Sequence, residues 1–274
     1  MQFKAYNMMA ILIMLLGSSS AIQAANNTEK WQQVRQALTA ASVSSERADS
    51  LIEQAQKRKM TPQALSHMTK RVTQAHQRNL PITLIVNRIQ QGLAKGIPPA
   101  RIGKALDVLS KELKWGKQLV EEHVPRAEVR NQPELFNTAI ANLEVARRQG
   151  FTSIQLEKIL GDSPLNLKQM VQVTAMATEW TILGADRKAV MSTLGKAVQS
   201  GAGLKELSSM HENFIQGLQQ GRDVDELHQE MQEQFKEEMH ENMQDDMGRG
   251  FGAPSGNDFN EGAGGGAGTG GGSW

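Results

Sequence analysis

"AKGIPPARI", residues 94–102, interrupts a chain that otherwise reads as helix. Gly96 suits the left-handed residue that closes one helix, because a residue without Cβ takes positive φ at no steric cost. Pro98 or Pro99 brings the fixed φ that a helix tolerates in its first turn. Ile97 falls just outside that second helix, and Ile102 falls where it would fold back on Ile97 as a hydrophobic staple. The signature is a hydrophobe, then Ser, Thr, Asp or Pro, then three residues, then a second hydrophobe.

The same signature recurs. Val43-Ser44 leads to Ala48, Met60-Thr61-Pro62 to Leu65, Leu80-Pro81 to Ile85, Phe151-Thr152 to Leu156, and Ala185-Asp186 to Val190. At Arg222-Asp223, leading to Leu227, an arginine replaces the outer hydrophobe and Glu226 is placed to complete a capping box on Asp223. The joints at 43, 60, 80 and 97 are 17, 20 and 17 residues apart, and those at 151, 185 and 222 are 34 and 37 apart. One helix with its turn therefore takes 17 to 20 residues, and a pair takes 34 to 37. Between joints the apolar residues keep helical spacing: Ile82, Ile85, Val86, Ile89 and Leu93 form one stripe, and Ile102, Ala105, Leu106 and Leu109 the next.

This pattern predicts an all-α chain: an irregular α-solenoid or layered array of short helical hairpins with 34–37 residues per pair. The alternative is an ordinary all-α bundle of similar-length helices, since caps carry the repeat rather than a full consensus. The tetratricopeptide consensus is not met, the single tyrosine being Tyr6. The middle is the weak part. Residues 97–151 leave room for three units, but the joints expected near 114 and 133 are degenerate. "VPRAEVRNQPEL" (124–135) reads as a loop between Pro125 and Pro133, and "GDSPLN" (161–166) as a joint with Asp162 or Ser163 as cap and Pro164 at a helix start.

Composition agrees with helix: aromatics are 4 % and methionines number 14. Residues 1–24 read as a secretory signal, with Lys4, an apolar run from Met8 to Leu16, and small residues up to a cleavage point after Ala24, or Ala21. The alternative is an uncleaved N-terminal anchor. Three segments follow: signal 1–24, helical repeat domain 25–247, and a Gly-rich tail 248–274 expected to be disordered, ending in Trp274. The expected location is periplasmic or secreted, with no transmembrane span after cleavage. There is no cysteine, which excludes disulfides, thiolate chemistry and a lipid-modified Cys.

Charge is divided along the chain. Lys4 is the only charge in the signal, so the remaining chain has 29 Lys/Arg against 29 Asp/Glu. Residues 29–130 hold 18 Lys/Arg and 9 Asp/Glu, whereas residues 223–246 hold ten acids and one Lys. The acidic stretch is either a solvated helix or one that neutralises its own basic half. The sharper reading makes residues 46–130 a contact surface, through Lys57, Arg58, Lys59, Lys70, Arg71 and Arg78, for another envelope protein or an anionic envelope component. Nucleic acid is excluded as a partner by export, near-zero net charge and the lack of interleaved aromatics.

The acidic stretch also carries Leu227, Met231, Phe235, Met239, Met243 and Met247 at four-residue steps. That stripe is expected to pack on the preceding segment, 207–221, or to offer methionines to a partner. A copper-type metal site at Met239, His240 and Met243, with His228 and Met231 as a looser pair, is the runner-up reading.

No catalytic constellation is legible. The chain lacks H-E-x-x-H, G-x-S-x-G and Walker-type motifs. His67 and His76, nine apart, point to opposite sides of one helix. Glu179 beside Trp180, and Glu144 near Asn142, are candidate buried acids. The sequence therefore predicts a non-enzymatic binding, scaffold or assembly factor without a cofactor, with an envelope hydrolase as a further alternative.

Overall fold

The computed structural model describes residues 26–161 and 164–234, all within one compact unit, and the second unit, Lys236–Trp274, lies outside them. The signal, the tail, and Met239, His240 and Met243 likewise lie outside the described residues. The described residues contain no strand. They form twelve helices: α1 (26–40), α2 (Ser45–Lys57), α3 (Pro62–Gln77), α4 (Ile82–Ala94), α5 (Pro99–His123), α6 (Arg126–Asn131), α7 (Pro133–Arg148), α8 (Ser153–Leu160), α9 (Leu167–Ile182), α10 (Arg187–Gln199), α11 (Leu204–Gln219) and α12 (224–234). The fold is a layered all-α array.

The joints work as one device used eight times. A residue of positive φ ends the helix: Gly96, Gly150, Gly184, Gly201 and Gly221, but also Ser42, Lys59 and Asn79. The N–H of the next residue then donates back five positions, as in Ile97 to the Gly92 carbonyl and Leu80 to that of Ala75, at 2.9–3.2 Å throughout. This is the Schellman closure. The residue that closes one helix with its backbone is the same residue that precedes the cap of the next. Ser44, Thr61, Thr152 and Asp186 are those caps, each accepting an N–H three residues on. The joint at Gly201 carries the same geometry but is not legible as a signature, because Ala202 and Gly203 offer neither a large hydrophobe nor a capping side chain.

Ile102 behaves differently from the staple expectation. It is buried, but Ile97 stays 37 % exposed. A Cβ on Gly92 would stand 2.7 Å from both Cδ1 and Cγ1 of Ile102, so Ile102 fills the groove that this glycine leaves in α4. Gly116 of α5 is looser: a Cβ there would meet Ile140 at 3.5 Å and Leu143 at 3.6 Å, ordinary contact distances. Gly116→Ala is therefore expected to raise stability by about 0.5–1 kcal/mol through helix propensity alone. Gly92→Ala gains the same but must displace Ile102, and is expected to lose about 1–2 kcal/mol net. Urea unfolding of the two variants checks this, and equal effects would refute the packing account.

Side-chain bonds between neighbouring pairs keep the period. Arg47 reaches Asn87 and Gln90, Arg71 reaches Asp107, Gln172 reaches Ser208 at 2.9 Å, and Lys196 reaches Gln232 at 3.0 Å. Several cations also close carbonyl ends one pair away: Arg58 on Ala94, Lys117 on Arg78 at 2.8 Å, and Arg187 on Gly150. These contacts run in parallel register.

At the centre the register reverses. Glu112 of α5 pairs with Arg147 of α7 at 3.0 Å, while Gly116 lies against Ile140 and Leu143. Rising numbers on one helix thus meet falling numbers on the other. Helix α5 runs 25 residues without a break at 114, and α6 shrinks to six residues between Pro125 and Pro133. The middle thus holds three helices of unequal length, a long α5, a short α6 and α7, with no joint near 114, because Leu106, Leu109, Leu113, Leu119 and Val120 keep a continuous buried stripe through α5. The two prolines do break the chain, but a helical turn and not a loop lies between them. Helix α9 starts three residues later than the Pro164 expectation, at Leu167 behind an Asn166 capping box with Gln169.

Candidate functional site

Helices α3 and α5 lie side by side, and their outer surfaces form a basic face. Arg71 clamps Asp107 with two bonds, Nε to Oδ1 at 2.7 Å and Nη2 to Oδ2 at 3.0 Å, and Arg71 Nη1 also donates to the His67 carbonyl at 2.9 Å. The Arg71 hydrogen bonds hold the Asp107 carboxyl below its ordinary range, with the Arg71 and Lys111 charges adding to that. The acid nearest this groove is thereby neutralised. The side chains of Lys70, Arg101, Lys104 and Lys114 stay exposed and have no hydrogen-bond or ion-pair partner among the described residues. A groove of about 370 Å³ runs between the helices, floored by Ala64, Met68, Ala100 and Gly103 and walled by His67, Arg71, Lys104 and Asp107.

The structure does not bring the six sequence candidates into one patch. Lys57, Arg58 and Lys59 lie at the α2–α3 joint, Lys70 and Arg71 at mid-α3, and Arg78 at its far end. Sixteen helical residues separate the ends by about 24 Å. Lys57 pairs with Glu53 at 2.6 Å and Arg58 closes the α4 end, so both have structural roles. Arg101, Lys104 and Lys111, absent from the sequence candidates, complete the face with Val108, which is 61 % exposed. Their 3-4-3 spacing opposite Ile102, Leu106 and Leu109 was the available signal.

A second concavity, about 720 Å³, opens where the layer is interrupted. It is lined by the α4 start (Leu80 to Leu84), Lys117 and Glu121 of α5, Val129 and Arg130 of α6, and Phe136 and Asn137 of α7.

The candidate acids divide. Glu144 is 4 % exposed and is held by Arg148 at 2.9 Å and Arg88 of α4 at 3.7 Å. Glu179 is not a buried acid: its side chain is 51 % exposed and faces His211 at 3.6 Å. It stands on the outer side of α9, whereas its neighbour Trp180 points into the core.

Trp180 centres a cluster made by α9 to α12. Its Nε1–H donates to His211 Nδ1 at 3.2 Å, and its ring packs on Phe214 at 4.5 Å and edge-on to His228 at 5.3 Å. His228 is 2 % exposed, its Nδ1 lies 3.2 Å from Thr193 Oγ1, and its Nε2 has no hydrogen-bond partner among the described residues. Burial holds this imidazole below its ordinary value, partly offset by the charges of Asp225 and Asp186. A folded value below the unfolded one means that the unfolded chain takes up more protons as pH falls. Stability is thus full above about pH 6.5 and declines as pH drops toward the lower folded value. His228→Leu is expected to lose that part of the pH slope, and thermal melts between about pH 7.5 and 5 check it; an unchanged slope would refute it.

Leu227 and Met231 are buried beside α11, as the stripe predicts, and the rest of the stripe from Phe235 on lies outside the described residues. Asp223 accepts from the N–H groups of Asp225 and Glu226, but Glu226 turns to Arg222 at 3.4 Å instead of closing the box. Arg222 also pairs with Glu230, an ionic clasp in place of the missing staple. No group of three or more His, Asp or Glu placed to hold a metal occurs among the described residues. No described helix is long and apolar enough to cross a membrane. No known protein family, curated protein or solved structure matches the chain.

Proposed function

We propose that this chain is an exported, non-enzymatic helical-repeat protein of the cell envelope, and that it binds an anionic macromolecular partner through the α3–α5 face. The observation that carries the reading is the set of exposed cations Lys70, Arg101, Lys104 and Lys114 on α3 and α5, without partners among the described residues, while Asp107 is already paired with Arg71. Export rests on the signal-like residues 1–24. The non-catalytic reading is supported by the hydrogen bonds that engage the buried and half-buried histidines: His123 is bonded to the carbonyls of Leu119 and Gly161, His211 to Trp180, and His228 to Thr193.

Position-specific photo-crosslinking in intact cells tests this reading. A crosslinker at position 104 is expected to capture a partner, while one at the exposed Ile154 of α8 is not. Adding Lys70→Glu and Lys111→Glu is expected to cut capture at position 104 at least tenfold. Equal capture at both positions, or capture unaffected by charge reversal, would reject the reading.

A further inference from the structure

The chain carries a surface complementary to this basic face, and carries it at the other end of the array. Helix α12 buries Leu227, His228 and Met231 and turns Asp225, Glu226, Glu230 and Glu233 outward, after the exposed Asp223 at its cap. Among the described residues, Arg222 is the cation that forms ion pairs with these five acids, and it is occupied by Glu226 and Glu230. The exposed side of α12 is therefore as acidic as the α3–α5 face is basic.

The fold keeps these two surfaces of one molecule apart. Helix α12 is bonded to α10 through Thr193–His228, Gln232–Thr193 and Lys196–Gln232, whereas the basic face belongs to α3 and α5, tied to each other by Arg71–Asp107. Each helix packs on its near neighbours in the array, and the contacts from α5 to α12 run through α7, then α9, then α10 or α11. The acids that α12 itself carries, residues 223–233, cannot reach the basic face of their own chain without dismantling that order.

We infer that the partner for the α3–α5 face is the α12 face of a second copy of this chain, in a head-to-tail contact. This rests on the reading of that face as a docking surface for an anionic group. The contact is heterologous: each copy keeps one free basic face and one free acidic face, so association continues from copy to copy unless the rotation closes a ring. Exposed charge pairs are individually weak and are screened within about 8 Å at physiological salt, so the association is reversible and sensitive to ionic strength.

Sedimentation velocity of the full mature chain tests this with two variants. One reverses the basic face (Lys104→Glu, Lys111→Glu and Lys114→Glu), and the other reverses α12 (Asp225→Lys, Gln229→Lys and Glu233→Lys, which leaves the Arg222 clasp intact). The wild-type chain is expected to associate with concentration, at least tenfold more weakly in about 500 mM than in about 50 mM salt. Each variant alone is expected to stay monomeric. A one-to-one mixture restores one native contact per pair and is expected to stop at dimers, since the remaining faces all carry the wrong sign. A monomeric wild type, an α12 variant that still associates, or a mixture that stays monomeric would overturn the inference. Crosslinking at position 104 separates this from the broader reading: a different captured partner that survives the α12 reversal retains the docking face and sinks self-association alone.

Discussion

Trp180→Ala is expected to lower the unfolding free energy by about 3–5 kcal/mol, the largest single-residue effect in the described chain. Trp180 is fully buried, and its ring contacts Phe214 and His228 from two other helices, so truncation empties the point where α9, α11 and α12 meet. Its indole N–H also satisfies His211 Nδ1, which the alanine variant leaves to solvent. Trp180→Phe keeps most of the apolar volume and loses this bond, and is expected to cost about 1–2 kcal/mol. In a stacked array each layer depends on its neighbours. Hydrogen exchange is therefore expected to accelerate in α9 to α12 well before α2 to α4. Uniform loss of protection across all helices would show that the array unfolds as one unit.

Glu144→Ala is expected to cost about 2–3 kcal/mol, because it leaves two guanidinium groups facing an apolar seam without their carboxylate. The figure is below the cost of opening a fully buried pair, since the side chains of Arg88 and Arg148 remain 32 % and 50 % exposed and water screens them. Glu144→Leu, which fills the site without charge, is expected to cost less than Glu144→Ala. Arg88→Ala should cost less than Glu144→Ala, because Arg148 still holds the carboxylate. Chemical denaturation of these three variants checks the order. Arg88 belongs to α4 and Glu144 to α7, so this pair bridges the place where the register reverses. A Glu144→Ala chain that melts in two steps would identify the seam as the boundary between two cooperative blocks.

The basic face illustrates what a linear reading could and could not find. An excess of cations in residues 29–130 is plain in the sequence, and of the six proposed contact residues Lys70 and Arg71 lie on α3, with Arg78 at its C-cap. Which cations are free is decided elsewhere. Arg58 is bonded to a carbonyl 36 residues away and Arg71 to an acid 36 residues away, so their availability depends on packing between helices. Arg101 and Lys104 become part of the face because α5 lies beside α3. The same limit applies to the acids: Glu179 and Glu144 look alike in sequence, and only the direction of each side chain from its helix puts one in solvent and the other in the core.

By itself the sequence determined the helical class, the helix ends near 60, 80, 97, 151, 185 and 222, and the burial of the stripes between them. Those features depend on local chemistry: a residue that accepts positive φ, a side chain that caps an N–H three residues on, and a period of 3.6. The tertiary structure alone decided the long α5, the reversal of register against α7, the unmarked joint at Gly201, and the separation of the acidic helix from the basic face. None of these has a local signal, because each is set by which surfaces bury best against helices distant in the chain.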